Sequence, residues 1–182
     1  MDVLAIQNRL KDLINLSRYD HSCRVAETAK DIALSLNLDD QAAFLGGLLH
    51  DCAKDISVNQ TEFEFSSAEN KLYLEFPAIW HSFVVEKVGG VYFPTVDSSI
   101  FNAAKYHSTG AKQMNSLAKI LFVADYIEPG RAYIKDSSLL ILAKTNLNKA
   151  VFEVARLKLA YLISKKYKIH HFLFECYDFY ID

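Results

Sequence analysis

Apolar residues recur along this chain at spacings of three and four, the period of a helix that buries one face, in nearly every segment. The pattern predicts helices over residues 3 to 17, 20 to 36, 40 to 50, 67 to 75, 78 to 89, 98 to 107, 116 to 127 and 147 to 165, with a shorter one near 171 to 179. Three prolines and six glycines are all that punctuate it, so the fold class expected is all-α. Asp39, Asp97, Asn115 and Asn146 stand where N-caps belong, each just ahead of a periodic run. The stretch SVNQTEFEFSSAEN is polar and aperiodic, which makes it a loop, but it is too short to link two domains. With 182 residues and 51% hydrophobic content, one domain with a sizeable core is expected over residues 1 to 182. Within it, helices from 147 to 182 form an extension packed on the core.

The polar residues that break the apolar faces carry the chemistry. His21 is followed at helical spacing by Val25, Ala29, Ile32, Ala33 and Leu36, and His81 by Val84, Val85 and Val88. His107 closes the series Ile100, Ala103, Ala104. Asp125 ends KILFVAD, with Phe122, Leu121, Ala118 and Leu117 on its own face. His50 and Asp51 follow the apolar run AAFLGGLL, whose Gly46 and Gly47 admit another helix or a metal site close to the backbone. Taken singly, an inward histidine is an ordinary hydrogen-bonded core residue. Four histidines and two aspartates on the inward faces of five helices are another matter, because a bundle has one centre and such faces converge there. Burying unpaired carboxylates is costly, and imidazole with carboxylate is the ligand set of iron, manganese, cobalt or zinc. Six ligands suit two metals bridged by one carboxylate, here Asp51.

Charge and composition narrow the partners. A formal net charge of -2, with Lys and Arg scattered, leaves no footprint for nucleic acid or an anionic membrane. No apolar stretch approaches 18 residues and Met1 to Ser17 carries charges within a helical pattern, so neither a membrane span nor a signal peptide is expected, and the location expected is cytoplasmic. Cys23, Cys52 and Cys176 are too far apart for a thiolate metal site and are taken as small core residues.

The order His21, His50 with Asp51, His81, His107 and Asp125, together with the stretches DHSCRVAETAKDIA, GLLHDCAK, AAKYHSTG and MNSLAKILFVADYIEPGR, resembles the HD-domain metal-dependent phosphohydrolases. Within them it is most similar to the YqeK-type symmetrical dinucleoside tetraphosphatases, and the similarity covers nearly the whole chain. The resemblance implies an HD-type helical bundle with a buried dinuclear site. His21, His50, Asp51 and Asp125 would hold one metal, and Asp51, His81 and His107 the other. It implies iron, and the symmetrical cleavage of diadenosine tetraphosphate to two ADP by a metal-bridging hydroxide.

A polyphosphate carries more charge than two divalent metals neutralise, which directs attention to nearby cations. Lys54 lies one helical turn after Asp51, Arg131 follows the EPG turn beyond Asp125, and Arg18 precedes His21 by three residues. Each is a candidate phosphate ligand, Arg131 best because a guanidinium matches phosphate geometry; the alternative for each is a solvated charge. Asp51, Lys54 and Arg131 are the expected catalytic residues. Ser108, Thr109 and Gly110 beside His107 offer hydrogen bonds to phosphate or ribose, or simply end a helix. The C-terminal KKYKIHHFLF places His170 and His171 among rings suited to stacking on a base, or to packing on the bundle or a second subunit, so a homodimer stays open. Three function classes follow: the tetraphosphatase, a nucleotidase or cyclic-nucleotide phosphodiesterase on the same fold, and a non-catalytic nucleotide sensor.

Overall fold

Asn15 decides where the first two helices part. The computed structural model describes residues 2–60, 62–131 and 138–181. In it, helix α1 (Val3–Leu13) stops at Ile14, which is extended at φ -129°, and α2 (Leu16–Ser35) starts under an Asn15 side chain that accepts from the Arg18 amide. The break expected at residues 18 and 19 therefore falls at 14 and 15, and residues 16 and 17 belong to α2. The pattern hid the break, because Ile6, Leu10 and Ile14 keep helical spacing and are all buried across it. Asp55 takes the Asn15 amide and side-chain NH2, which pins the corner.

Among the described residues eight further helices follow: α3 (Asp40–Leu49), α4 (Ser67–Glu75), α5 (Pro77–Tyr92), α6 (Ser98–Ala104), α7 (Ser116–Ile127), α8 (Ser138–Thr145), α9 (Leu147–Ser164) and α10 (His171–Phe179). No strand occurs among the described residues, as an all-α reading requires. Asp39, Asp97, Asn115 and Asn146 each accept a backbone amide as N-caps. Ser66 and Glu69 close a reciprocal capping box on α4. The helix α8 was not expected from the pattern, and the helix expected to run to His107 ends at Ala104, so His107 reaches inward from a turn.

The centre of the bundle is α7, buried from Ile120 to Asp125 without interruption, as a helix apolar on every side must be. It packs on α2, α3, α6 and α9. Gly46 lets α3 lie against Leu121 of α7, and a Cβ on Gly47 would meet the Ala26 Cα at 2.6 Å, so α2 and α3 touch backbone to backbone. That contact sets His21 and His50 side by side. Beyond α7, α9 packs on α7, α8 and α10, and the Tyr180 hydroxyl accepts the Met114 amide to fasten the C-terminal end. Cys52 and Cys176 are buried and Cys23 half-buried, all three free thiols. No helix among the described residues is long and apolar enough to cross a membrane.

Candidate metal centre

Four imidazoles meet around Asp51. His21 comes from the first turns of α2, His50 from the C-cap of α3, His81 from the start of α5 and His107 from the turn after α6. All four are at least nine-tenths buried, as are Asp51 and Asp125. Two groups have the spacing of a metal site: His21, His50 and Asp51, and Asp51, His81 and His107. Asp51 belongs to both and divides its oxygens between them. Its Oδ2 lies 3.4 Å from His50 Nε2 and 3.9 Å from His21 Nε2, while Oδ1 lies 3.0 Å from His81 Nε2 and 3.4 Å from His107 Nε2. Asp125 joins the first group, with Oδ1 at 3.1 Å from His21 Nε2 and 3.9 Å from His50 Nε2.

The ring nitrogens facing away from this cluster are engaged elsewhere. His50 Nδ1 sits 2.6 Å from the Gly47 carbonyl, His107 Nδ1 2.8 Å from the Ala104 carbonyl, and His21 Nδ1 3.1 Å from Glu128 Oε1. Acceptors at those three positions hold the proton on Nδ1 and leave the Nε2 lone pair free, the tautomer a metal ligand requires. His81 differs: its Nδ1 faces the Lys54 ammonium at 3.2 Å. His21 Nε2, His50 Nε2 and Asp51 Oδ1 are buried without a hydrogen-bond partner. Isolated atoms of this kind are costly to bury, and a divalent cation satisfies them all, so the donor set fits a metal pair with nitrogen and oxygen ligands.

The charges around the centre are strongly coupled. Burial works against ionising Asp51, yet His50, His107 and His81 outweigh it and hold the carboxyl well below the usual range. Asp125 is likewise held low against its burial, by His21, the Lys158 charge and the other imidazoles. Burial takes His81 down to about 4 and lowers His107, so both are neutral bases near pH 7.

The expected phosphate ligands surround the ligand carboxylates. Arg18 Nη1 donates to Asp51 Oδ2 at 2.9 Å, Arg131 Nη2 to Asp125 Oδ1 at 2.5 Å, and Lys54 also donates to the Ala78 carbonyl at 3.1 Å. None is a solvated surface charge. Ser108 Oγ lies 3.0 Å from His107 Nε2, but Thr109 is buried and spends its proton on the Gly110 carbonyl, which makes it a turn residue. Gly110, at φ +65°, completes that turn. His170 is buried and caps α10, while His171, stacked on it with ring centroids 4.4 Å apart, is exposed and faces Glu175.

Two residues that matter here escaped the sequence reading. Glu128, 1% exposed, takes His21 Nδ1 on one oxygen and Arg24 Nε and the Gly130 amide, each at 2.6 Å, on the other. Its position one helical turn after Asp125 was the available signal. Lys158 lies on the apolar stripe of α9 with Val151, Val154, Ala155 and Leu162. Its ammonium donates to the His107 and Ser108 carbonyls at 3.1 Å each, and burial lowers its pKa to about 8. A cavity of about 700 Å³ opens beside the centre, bounded by Asp125, Arg131, Lys158, Tyr126 and Tyr161.

Comparison with known proteins gives the same picture. The HD domain family model matches residues 18–130, a span that contains all six inward His and Asp residues. The chain is 29% identical to the symmetrical bis(5'-nucleosyl)-tetraphosphatase of Staphylococcus aureus over 99% of its own length and 95% of the relative's. It is 31% identical to the protein of the same name from Halalkalibacterium halodurans, over 84% of this chain and 83% of that one. The crystal structure of a protein from Clostridium acetobutylicum, described as a predicted HD superfamily hydrolase involved in NAD metabolism, superposes with a TM-score of 0.80 at 29% identity, covering 100% of this chain and 97% of that one.

Proposed function

The chain belongs to the HD-domain family of metal-dependent hydrolases, and on that basis we propose that it is a symmetrical bis(5'-nucleosyl)-tetraphosphatase, which cuts diadenosine tetraphosphate at its central bridge into two ADP. The observation that carries the reading is the division of Asp51 between two histidine pairs. A carboxylate placed this way could be shared by two cations, and two cations would suit phosphoryl transfer to water. His21, His50, Asp51 and Asp125 would hold one, and Asp51, His81 and His107 the other. When bound, the pair, which we assign as iron, lowers the pKa of water and offsets charge on the phosphoryl group.

The chain's own residues do the rest. Glu128, Gly47 and Ala104 keep three imidazoles in the ligating tautomer. If His81 ligates through Nε2, its proton stays on Nδ1, where it opposes the Lys54 ammonium as donor against donor; Lys54 then turns to a phosphate oxygen instead. Arg131 and Lys158, both on the cavity wall beside Asp125, bind the phosphate chain, and Arg18 screens Asp51. Ser108 donates to a phosphate or ribose oxygen. Water attacks one of the two central phosphorus atoms, the bridging P–O bond breaks, and the leaving ADP takes the electron pair while the water gives up a proton. Three free cysteines fit a reducing compartment, and we place the enzyme in the cytoplasm.

The test is hydrolysis in oxygen-18 water with chromatographic separation of products. Two ADP are expected, one of them labelled on its terminal phosphate. AMP with ATP would refute central cleavage, and turnover confined to cyclic nucleotides or monophosphates would move the chain to the phosphodiesterase or nucleotidase reading.

A further inference from the structure

A dinucleotide cut at its middle has two nucleosides to seat, and the cavity beside Arg131 and Lys158 offers room for one. A second cavity, of about 410 Å³, lies next to it. The two share Ile79, Ser108 and Leu162 in their walls, and Ser108 Oγ lies 3.0 Å from His107 Nε2, so both adjoin the same edge of the metal centre. Resting on the tetraphosphatase reading, we infer that this second cavity, walled by Phe76, Tyr167, Lys168 and His170, is a nucleoside subsite. It seats the half of the substrate that the first cavity does not.

Its lining is suited to a base. The rings of Phe76 and His170 meet edge to face with centroids 5.1 Å apart, and the Lys168 ammonium lies 4.7 Å from the Phe76 ring centroid. His170 Nδ1 accepts the Phe172 amide, which assigns the ring proton to Nε2 and leaves one donor for a base nitrogen or oxygen. Its size falls within the ordinary range of small-molecule sites. The first cavity is different in kind, with two cations and two tyrosines, and it suits phosphates first.

The backbone builds this wall deliberately. Helix α9 ends with the Lys166 amide on the Ile163 carbonyl and the Tyr167 amide on the Leu162 carbonyl, with Lys166 left-handed at φ 56°. That reversal carries Tyr167 back beside Tyr161, centroids 6.4 Å apart, so that one ring lines each cavity. Lys168 then pairs with Glu75 at 3.1 Å, linking the segment to the end of α4. Tyr167, Lys168 and His170 all lie beyond the residues that match the HD domain, so the metal ligands and this seat come from different parts of the chain.

Tyr167 is 57% exposed, which means that its removal opens no core. The experiment uses the full chain, Tyr167→Ala and His170→Asn. Photolabelling with 8-azido-ADP, followed by peptide mapping, should mark the segment 167–173, and both ADP and diadenosine tetraphosphate should compete. Tyr167→Ala should lose that mark, and its KM for the dinucleotide should rise roughly tenfold with kcat little changed, the loss expected of one stacking ring. His170→Asn, which keeps an acceptor for the Phe172 amide and removes the Nε2 donor, should weaken the mark while its thermal midpoint stays close to the parent's. Absence of label from 167–173, or a KM for Tyr167→Ala within about twofold of the parent, overturns the subsite. Because labelling needs no turnover, a chain that fails to hydrolyse the dinucleotide refutes the functional reading without deciding this one.

Discussion

Replacing Glu128 by glutamine tests how the first metal site is prepared. The change is isosteric but asymmetric in consequence. Arg24 Nε and the Gly130 amide both donate to Oε2, each at 2.6 Å, so the one remaining carbonyl oxygen stays there and the new NH2 replaces Oε1. His21 Nδ1, 3.1 Å away, then faces a donor where it had an acceptor. The ring answers by moving its proton to Nε2, the nitrogen aimed at Asp125 and Asp51. A ligand in the wrong tautomer, or one kept right against an opposing donor, costs about 1.4 to 2.7 kcal/mol of metal affinity, or roughly 10 to 100-fold. The effect on fold stability is smaller. Arg24 is 39% exposed, so losing its ionic partner costs under about 1 kcal/mol. The assay is titration of metal-stripped protein against a competing chelator, with imidazole nitrogen NMR on His21. One of two equivalents should weaken by the stated factor, the other should stay near its parental affinity, and the His21 proton should shift to Nε2. Two equivalents bound as tightly as in the parent would refute the argument that Glu128 sets the tautomer.

Asp51→Ala removes the carboxylate common to both groups, so it should abolish turnover and lower metal content while circular dichroism stays helical; near-normal activity would rule out a shared bridge. Arg131→Ala and Lys54→Ala should each bind metal like the parent yet lose about 1.5 to 3 kcal/mol in kcat/KM, the worth of a charged hydrogen bond to phosphate. Loss of metal instead would assign them to the scaffold. Far from the site, Glu69 caps α4 and takes Lys87 Nζ at 2.8 Å. Burial works to raise its pKa, but Lys87 and Ser66 outweigh it and the net shift is downward. A depressed folded value means stabilisation that is full above the unfolded pKa of about 4.5 and fades as pH falls through the folded one. Glu69→Ala should therefore cost about 1 kcal/mol in denaturant melts near neutral pH, and less below about pH 4. A penalty independent of pH would show that the carboxylate charge contributes nothing.

Period and capping were enough to place most helices and all six inward groups, because a side chain's face on a helix is set locally, by spacing alone. His21 with Val25 and Ala29, or Asp125 with Leu121 and Phe122, shows its direction without reference to anything distant. Two local features misled the pattern. Ile14 kept the apolar spacing across a break that depends on Asp55, forty residues away from Asn15. Helix α8 carried no expectation at all, though it packs on α2 and α9. Convergence is of another order. That Asp51 gives one oxygen to His21 and His50 and the other to His81 and His107 follows from α2, α3, α5 and α6 meeting at one point, and Gly47 against Ala26 sets one of those meetings. Glu128 orienting His21 and Lys158 holding the His107 turn depend likewise on partners remote in sequence. Spacing records which way a side chain faces; what it meets there is decided by packing, because contact energies are made between elements whose mutual distance no local period encodes.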